Sequence, residues 1–451
     1  MGSMTKPISA IPDDRATRPQ PDGLRLTLHR GAHEIGGTCL ELATPTTRIL
    51  LDIGMPLMGP GGTPVDEEQL LPAVAGLYPG DPRPAPDAVL ISHAHQDHYG
   101  LVDRIRPDIP VYVSNPSRKL IALTRLFQGK ENPSVPHTMP FRSYQPFTIG
   151  DMRITPYLVD HSAFDAHAFL IEGGGQKYIY SGDLRMHGRK PGAMEGFLRH
   201  APKGVDGLLL EGTTLGRQAA PGSALPRTET DLEEAAVQHF RETPGLVLLQ
   251  CSAQNIDRLV TAYRACLRSG RTLVVDVYTA HVLADLAEDG ACLPRVDRRW
   301  DVGVIYPRRL TRRIFNHMDP ALAWRFARSG RKVEWRALDA SPDKYVLLVR
   351  DSMQVDLETL ALPRGARLLY SLWGGYKEQP GTAAFHTYLR ARDVEMADLH
   401  VSGHAYPEDL QAIVQRLAPR ALIPIHTMEG DRYADIFAGT PVRRIENGGW
   451  L

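Results

Sequence analysis

Residues 92–100 read SHAHQDHYG, so four side chains that can bind metal fall within six positions: His93, His95, Asp97 and His98. Imidazole nitrogens and carboxylate oxygens are the atoms by which proteins hold zinc and similar cations. The apolar run before His93 indicates a strand, in which side chains two positions apart project to the same side. We therefore expect His93 and His95 together at a strand end, and the other two residues at a turn into a helix over YGLVDRI.

One loop cannot complete the coordination of two metal ions, so further ligands are expected at the ends of other strands. Three residues fit this expectation: His161 in VDHSAFDAH, Asp183 in YIYSGDLR and His426 in LIPIHT. An accidental recurrence of histidine, aspartate and histidine at strand ends in this order is improbable. The sequence therefore predicts a metal centre assembled from distant parts of the chain.

The elements that must position these residues change in character along the chain. Short β-rich runs broken by glycine begin at Leu24 and predict sheets. After Thr214, amphipathic helices alternate with buried strands, which is typical of a parallel α/β unit. From Gln379 we expect a strand (ADLHVSGH), a helix, a strand (ALIPIHT) and a short closing strand (VRRIENGGWL).

This pattern predicts an α/β protein in which one domain is inserted into another. The predicted divisions are a flexible N-terminal segment at 1–22 with a cloning remnant at 1–3, a first domain at 23–215, an inserted domain at 216–378 and a return segment at 379–451.

The motif at 93–98 resembles the HxHxDH signature of the metallo-β-lactamase fold, and Asp52 in LLDIG matches its preceding aspartate. Glu211 in LLLEGTT, His404 in SGHAYPEDL and His426 in LIPIHT resemble the three further motifs of the β-CASP nucleases. The segment RGAHEIGGTC is similar to an early loop of their RNA-processing members, most of all the ribonuclease J group. The resemblance implies a metallo-β-lactamase αββα sandwich with an inserted α/β β-CASP domain, in a compact form without that group's C-terminal domain.

The resemblance also implies a role for each candidate ligand. His93, His95 and His161 would hold one zinc ion, and Asp97, His98 and His426 a second, with Asp183 bridging the two. Such a pair lowers the pKa of a bridging water, so that hydroxide attacks phosphorus and no serine or cysteine nucleophile is needed. Manganese is an alternative to zinc. Asp52 would orient a ligand or the loop backbone.

The remaining motif residues would handle the proton and the phosphate. A histidine beside a carboxylate is a suitable general acid near neutral pH, so His404 paired with Glu211 would protonate the leaving 3′ oxygen. Asp97 is counted with these two as catalytic. Ser402, Gly403 and His400 would bind the scissile or a neighbouring phosphate, although a turn or packing role is nearly as good a reading for Ser402 and His400.

The histidine at position 426 places the chain with the RNA branch of the family, because the DNA-repair branch usually has a small apolar residue there. The expected function is that of a zinc-dependent ribonuclease acting on single-stranded RNA as a 5′-to-3′ exonuclease, an endonuclease or both. The alternatives are a metallo-hydrolase of another phosphodiester or ester, such as DNA or a small molecule, and a non-catalytic RNA-binding scaffold. The resemblance also allows a homodimer.

The formal charges cancel, with 52 basic and 52 acidic residues. Attraction to a polyanion must therefore come from a local patch, and residues 291–336 supply one, with twelve basic side chains against four acidic ones. This stretch either lines a cleft for a single strand or is a solvated helical face or a partner surface. Scattered cysteines, the lack of a secretory start and the lack of an apolar run near ~18 residues predict a cytoplasmic protein without membrane spans.

Overall fold

The computed structural model describes residues 23–57, 70–216, 226–362 and 365–451. The predicted flexible segment at 1–22, with its cloning remnant, lies outside the described residues. Among the helices in these four ranges, none has both the length and the apolar character that crossing a membrane requires.

The first sheet has six strands whose spatial order follows the chain. Its first three strands are antiparallel neighbours, and the later pairs are parallel. The strands are β1 (Arg25–Arg30), β2 (Cys39–Ala43), β3 (Arg48–Leu51), β4 (Ala88–Leu90), β5 (Val111–Ser114) and β6 (Thr138–Phe141).

The second sheet also has six strands, in the order β18-β11-β10-β9-β8-β7. Its members are β7 (Phe147–Ile149), β8 (Met152–Val159), β9 (Ala166–Gly173), β10 (Gln176–Tyr180), β11 (Gly207–Glu211) and β18 (Leu422–Ile425). The last strand joins this sheet from the far end of the chain by pairing in parallel with β11. The return of the chain to the first domain is therefore a direct strand pairing.

The two sheets face each other across one apolar core, because alternate residues of each strand point inward. Leu40 and Leu42 of β2 share this core with Phe169 and Ile171 of β9. The outer face of the first sheet packs on the helix Asn115–Phe127, and that of the second on the helices Pro191–His200 and Pro407–Leu417. This is the predicted αββα sandwich.

The third sheet is entirely parallel, with the order β14-β13-β15-β12-β16-β17. It contains β12 (Val247–Gln250), β13 (Thr272–Asp276), β14 (Val302–Ile305), β15 (Tyr345–Val349), β16 (Arg367–Tyr370) and β17 (Glu395–Asp398). Apolar clusters cover both of its faces, as a parallel sheet requires. The predicted inserted α/β region is thus present.

The α-helices connect these strands and cover the sheets. In chain order, those of the described residues are Gln96–Tyr99, Asn115–Phe127, Pro191–His200, Glu229–Glu242, Ile256–Ser269, Val277–Glu288, Arg308–His317, Ala321–Ala327, Trp335–Ala340, Gln354–Leu357, Pro380–Arg390, Pro407–Leu417 and Tyr433–Ile436. Thr228 forms the capping box of the helix Glu229–Glu242, and Gly270 ends the helix Ile256–Ser269 in the left-handed conformation.

Three predicted elements differ from the structure. The helix after the histidine loop ends at Tyr99, so YGLVDRI is mostly turn. In ADLHVSGH only the first two residues, Ala397 and Asp398, are extended; they end β17, which belongs to the third sheet, so that sheet continues past the predicted division at 378. The C-terminal run is no regular strand, although Leu451 and Leu26 exchange backbone hydrogen bonds. Alternating apolar residues do not reveal which sheet a short strand joins.

Candidate metal centre

The structure brings all seven predicted ligands together. Four of them follow a strand, and two lie on a short helix that begins soon after a strand. His93 follows β4, and the helix Gln96–Tyr99 carries Asp97 and His98. The other three follow strands of the second sheet: His161 follows β8, Asp183 follows β10 and His426 follows β18. The centre therefore lies where the ends of the two facing sheets meet. Their role as ligands stays a prediction.

The first group consists of His93, His95 and His161, whose candidate ligand atoms all lie within 4.8 Å of one another. Nε2 of His161 is 3.2 Å from Nδ1 of His95, a separation at which two lone pairs repel unless a proton or a cation lies between them. Nε2 of His93 is buried and has no hydrogen-bond partner in the part of the chain that the structure describes. These are the features of imidazoles arranged for a shared cation.

The second group consists of Asp97, His98, Asp183 and His426, again with candidate ligand atoms within 4.8 Å. Nε2 of His98 is 3.1 Å from Oδ2 of Asp183, and Nε2 of His426 is 3.4 Å from Oδ2 of Asp97. Both ring nitrogens of His426 already have neighbours, since the amide of Gly36 donates to Nε2 and the Thr213 hydroxyl lies 3.0 Å from Nδ1. A metal ion bound by His426 would therefore compete with one of these two partners for a ring nitrogen.

Asp183 lies between the two groups. Its Oδ2 is 3.8 Å from Nε2 of His93 and 3.9 Å from Nε2 of His161, while it contacts His98 on the other side. Its Oδ1 is buried without a hydrogen-bond partner among the described residues. A carboxylate with one oxygen unpaired between two clusters of imidazoles fits the predicted bridging role and a divalent cation.

The histidines of the two groups differ in the direction in which their pKa values are shifted. Burial lowers the pKa of His93 and of His161 well below the ordinary histidine value, so both are neutral and offer lone pairs. For His98, burial opposes the charged form, but the carboxylates of Asp183, Asp52 and Asp97 outweigh it and raise the pKa well above the ordinary value. The concentration of carboxylates around His98 thus attracts positive charge, whether as a proton or as a metal ion.

Asp52 is fully buried and orients the histidine loop. Its Oδ1 accepts a hydrogen bond of 2.7 Å from the amide of Ser92, and its Oδ2 accepts from the hydroxyls of Ser92 and Tyr180 and lies 2.7 Å from Nδ1 of His98. This contact directs Nε2 of His98 toward the metal centre, as the carboxylate partner of a ligand histidine does. The geometry supports the predicted orienting role.

Two residues of the centre have left-handed backbone conformations that are rare outside glycine, Asp52 with φ 59° and His426 with φ 48°. Such strain persists only where the surrounding structure holds it, and it is concentrated at functional sites. At His426 the backbone is held by its own amide, which donates to the carbonyl of Gly31 at 2.8 Å. The early glycine-rich loop therefore supports His426, the last predicted ligand.

His404 and Glu211 lie beside this centre. Nδ1 of His404 is 3.2 Å from Oε1 of Glu211 and 3.8 Å from Oδ2 of Asp183. The Glu211 carboxylate is fully buried and also accepts hydrogen bonds from the amides of Leu184 and Thr213. The side chain of His404 keeps 18% of its surface exposed, so its ring is accessible from the cleft. The pair has the geometry of an oriented acid and is also close enough to Asp183 and His426 to ligate a cation.

The predicted phosphate-binding residues lie on the segment that leads to His404. The Ser402 hydroxyl accepts a hydrogen bond from the amide of His404 at 3.1 Å. A methyl group at Gly403 would come 2.5 Å from Oγ of Ser162 and 3.4 Å from Cε1 of His161, so glycine allows this segment to approach the metal centre. His400, two residues before Ser402, is half-buried. A contact of these residues with phosphate stays a prediction.

Buried arginines and carboxylates form an ion network behind the centre. These residues were not predicted from the sequence. Arg185, two residues after Asp183, is fully buried and donates to Asp160, Glu229 and Asp257, with 2.5 Å to Oδ2 of the last. It also donates to the carbonyl of Ser402 at 3.1 Å. One guanidinium thus connects a ligand-bearing loop, the inserted region and the segment that carries His404.

A second buried arginine of the inserted region completes this network. Arg258 donates to Glu229 at 3.2 Å and to the carbonyls of Val401 and Leu399 at 3.2 and 3.4 Å. Burial would raise the pKa of Glu229, but the charges of Arg258 and Arg185 lower it to about 2. Fully paired charges of this kind fix geometry more than they add stability, and breaking one pair is costly.

Comparison with known proteins identifies two regions of the chain. Residues 47–247 match the family model described as a beta-lactamase superfamily domain, and residues 391–434 match the model described as a Zn-dependent metallo-hydrolase RNA specificity domain. The first match contains six of the seven predicted ligands, and the second contains His404 and His426.

Among curated proteins, ribonuclease J of Mycobacterium tuberculosis is 24% identical over 434 residues, covering 90% of this chain and 69% of the relative. The transcription termination factor FttA of Methanothermobacter thermautotrophicus is 28% identical over 277 residues, covering 57% and 42%. Among solved structures, a protein of unknown function from Enterococcus faecalis V583 superposes with a TM-score of 0.74 at 23% identity, over 95% of this chain and 99% of that one. The last comparison shows that the fold has been seen before.

Proposed function

We propose that this metal-dependent hydrolase is a ribonuclease that cuts single-stranded RNA. The ground for the proposal is that the chain belongs to the β-CASP branch of the metallo-β-lactamase superfamily and is similar to ribonuclease J. One observation carries the proposal: Asp183 of the second group of candidate ligands also faces the first group, and the His404–Glu211 pair lies beside them. Phosphodiester hydrolysis needs a nucleophile on one side of phosphorus and a proton donor on the other. This arrangement offers both.

The proposed chemistry divides the work between bound metal and the chain. The seven predicted ligands would hold a pair of divalent ions, zinc or manganese, which would supply an activated water and neutralise charge on the phosphate. Glu211 orients the ring of His404 through Nδ1, so that the proton leaves from Nε2 to the departing 3′ oxygen. Asp52 fixes the ring of His98, and Gly403 lets the backbone approach the substrate side of the centre.

Three features support RNA over the alternatives. The match to an RNA specificity domain covers the segment that contains Ser402, His404 and His426. The ribonuclease J relatives match along nearly the whole chain. A non-catalytic scaffold has no need for seven candidate ligands, and here the seven candidate side chains lie in two neighbouring groups. Hydrolysis of DNA or of a small ester is the alternative that an experiment must exclude.

The first experiment compares substrates under one set of conditions. Purified protein loaded with zinc or manganese is incubated with single-stranded RNA, single-stranded DNA of the same sequence and a generic small phosphodiester, each with and without a chelator. We expect metal-dependent cleavage of RNA and much slower cleavage of the other two. Equal or faster hydrolysis of DNA or of the small ester would overturn the proposal.

The second experiment determines the direction of cleavage. RNA labelled at its 5′ end and carrying either a monophosphate or a triphosphate is digested, and the products are sized. Labelled mononucleotide from the monophosphate substrate alone indicates a 5′-to-3′ exonuclease, whereas labelled fragments of intermediate length from both indicate an endonuclease. We propose that the chain has one or both of these activities.

The proposed surroundings of the enzyme are the cytoplasm, with single-stranded RNA as its partner and a homodimer as its candidate assembly. All four cysteines are free, and three of them, Cys39, Cys251 and Cys266, are buried. Unpaired thiols suit a reducing compartment. Light scattering of the purified chain measures the assembly directly.

A further inference from the structure

A strongly basic surface lies on the inserted region, away from the metal centre. The helix Arg308–His317 carries four arginines and no carboxylate, and among its residues only Ile314 is buried. Arg309 and Arg312 are exposed, and neither forms an ion pair with any residue that the structure describes. Like charges on a helix that are not neutralised by acidic neighbours repel one another, so this face favours an anionic ligand.

Two exposed aromatic rings stand on the same surface. Phe315 of this helix is 42% exposed, and Trp324 of the following helix Ala321–Ala327 is 63% exposed. Their ring centroids are 5.7 Å apart and their planes are inclined by 70°. Large apolar side chains held at the surface beside arginines are the composition of a surface on which bases stack while phosphates pair with guanidinium groups.

The surface is connected to the metal centre by two adjoining cavities. The first, of about 630 Å³, is lined by Leu57 and Tyr376 and lies at the carboxyl ends of β12, β15 and β16. Leu57 lies beside Asp97, because a methyl group at Gly36 would be 2.7 Å from Leu57 and 3.2 Å from Asp97. This cavity therefore begins beside Asp97, one of the predicted ligands.

The second cavity, of about 350 Å³, shares four lining residues with the first, namely Thr124, Tyr278, Arg350 and Ser352. At its other side it is lined by Leu310 and Arg313 of the basic helix. Nη1 of Arg313 donates to the carbonyl of Phe127 at 2.9 Å, which attaches the helix to the first domain. The two cavities thus form a groove that extends from the neighbourhood of Asp97 to the foot of the basic helix.

We propose that Arg309, Arg312, Phe315 and Trp324, which we call the basic platform, bind the part of a single-stranded RNA that extends beyond this groove. The proposal rests on the proposed function, since it concerns the same substrate. Long RNA then contacts the chain at two places, the metal centre and the platform, whereas short RNA reaches the metal centre alone. A second copy of the chain is disfavoured as the occupant, because a symmetric contact would bring the arginines of both copies together.

The test measures binding of oligouridine in a His404→Ala background, so that the RNA survives the titration. Lengths of about 5 and about 20 nucleotides are compared, which bracket the site sizes usual for single-strand binders. For the long RNA, R309A/R312A should reduce the slope of log affinity against log salt by about 1.4, because each phosphate contact to a single strand contributes about 0.7. Trp324→Ala should weaken binding of the long RNA by at least about fivefold, the effect of losing one stacked base. Neither change should affect the short RNA.

The matched control is R199A/R416A, which removes the same charge from two exposed arginines on the helices Pro191–His200 and Pro407–Leu417. Leu267→Ala is the control for loss of an exposed apolar side chain, since Leu267 is 53% exposed. Equal effects of R309A/R312A and of its control on the long RNA would overturn the platform. So would a Trp324→Ala variant that changes the molecular mass by light scattering while RNA affinity stays the same, since the surface would then join two copies of the chain. Failure of the parent protein to bind RNA of either length would instead defeat the proposed function itself.

Discussion

The side chains of His404 and Glu211 meet with Nδ1 of the imidazole 3.2 Å from Oε1 of the carboxylate, although 193 residues separate them along the chain. Glu211 ends β11, and His404 follows a segment held by Arg185 and Arg258. The carboxylate fixes which ring nitrogen faces the cleft. A histidine oriented in this way by a buried acid is a proton donor with a defined direction.

Replacement of His404 tests whether this histidine donates the proton. We expect His404→Ala to lower the turnover number on RNA by ~10² to 10⁴, the range for loss of a general acid. Metal content should stay unchanged, because the alanine variant retains all seven predicted ligands. The control His200→Ala removes an exposed histidine of the helix Pro191–His200 and should leave turnover unaffected. Unchanged turnover in His404→Ala would contradict the assignment, and loss of metal would show that His404 is a ligand.

Asp183→Asn tests the shared carboxylate. An amide is a poorer metal ligand than a carboxylate and has one negative charge less, so both groups of imidazoles lose their common partner. We expect most of the bound metal to be lost and activity to disappear with it. Elemental analysis of the dialysed protein is the measurement, and Asp398→Asn, at an exposed carboxylate paired with Lys377, is the control. Full metal content in Asp183→Asn would exclude the bridging role.

Asp52→Asn tests the residue that orients His98. Asparagine tolerates the left-handed backbone at this position, so the change affects the hydrogen bonds more than the fold. The amide cannot accept all the hydrogen bonds that the carboxylate accepts from Ser92, Tyr180 and His98. We expect metal affinity to fall by about 10- to 100-fold, as measured by competition with a chromophoric chelator. An affinity equal to that of the parent would show that the loop is rigid without this carboxylate.

Glu229→Gln tests the buried ion network through its pH dependence. The pKa of Glu229 is lowered to about 2, because Arg258 and Arg185 outweigh the effect of burial. The stabilisation from this carboxylate is therefore complete above its unfolded pKa of about 4.5, and it is lost as the pH falls through the folded value. The variant should be less stable at pH 7 by about 3 kcal/mol or more, the cost of breaking a buried pair.

Thermal unfolding at several pH values checks this prediction. The parent should lose stability between about pH 4.5 and pH 2, while Glu229→Gln should lose less over the same interval. Glu408→Gln, at an exposed carboxylate that pairs with Arg227, serves as the control and should resemble the parent. Identical pH profiles for the parent and Glu229→Gln would show that folding does not lower the pKa of Glu229.

The sequence predicts much of the fold and of the centre, because short motifs at strand ends carry strong local signals. The histidine loop, Asp183 and His426 each follow a strand-like run, and the structure places them together. The limits of the third sheet are harder to predict, because β17 is four residues long and its sequence pattern does not show which strand it pairs with. Pairing of a short edge strand is decided by distant parts of the chain.

The buried network could not be predicted in the same way. Arg185 and Arg258 are buried, yet most arginines are exposed, and nothing in their local sequence distinguishes them from surface residues. The position of Arg185 two residues after a ligand is the one available signal. Similarly, four arginines in the helix Arg308–His317 suggest a basic face, but the aromatic pair of Phe315 and Trp324 appears only when two helices are packed together.

The buried arginines also constrain how this protein can be recombined with its relatives. Arg258 and Glu229 come from the inserted region, while Arg185 and Asp160 come from the first domain, and together they hold the backbone just before His404. A chimera that takes the inserted region from another chain would leave charges buried without partners and would shift His404. Exchange of this region therefore requires that the arginines and carboxylates on both sides of the junction be transferred together as one unit.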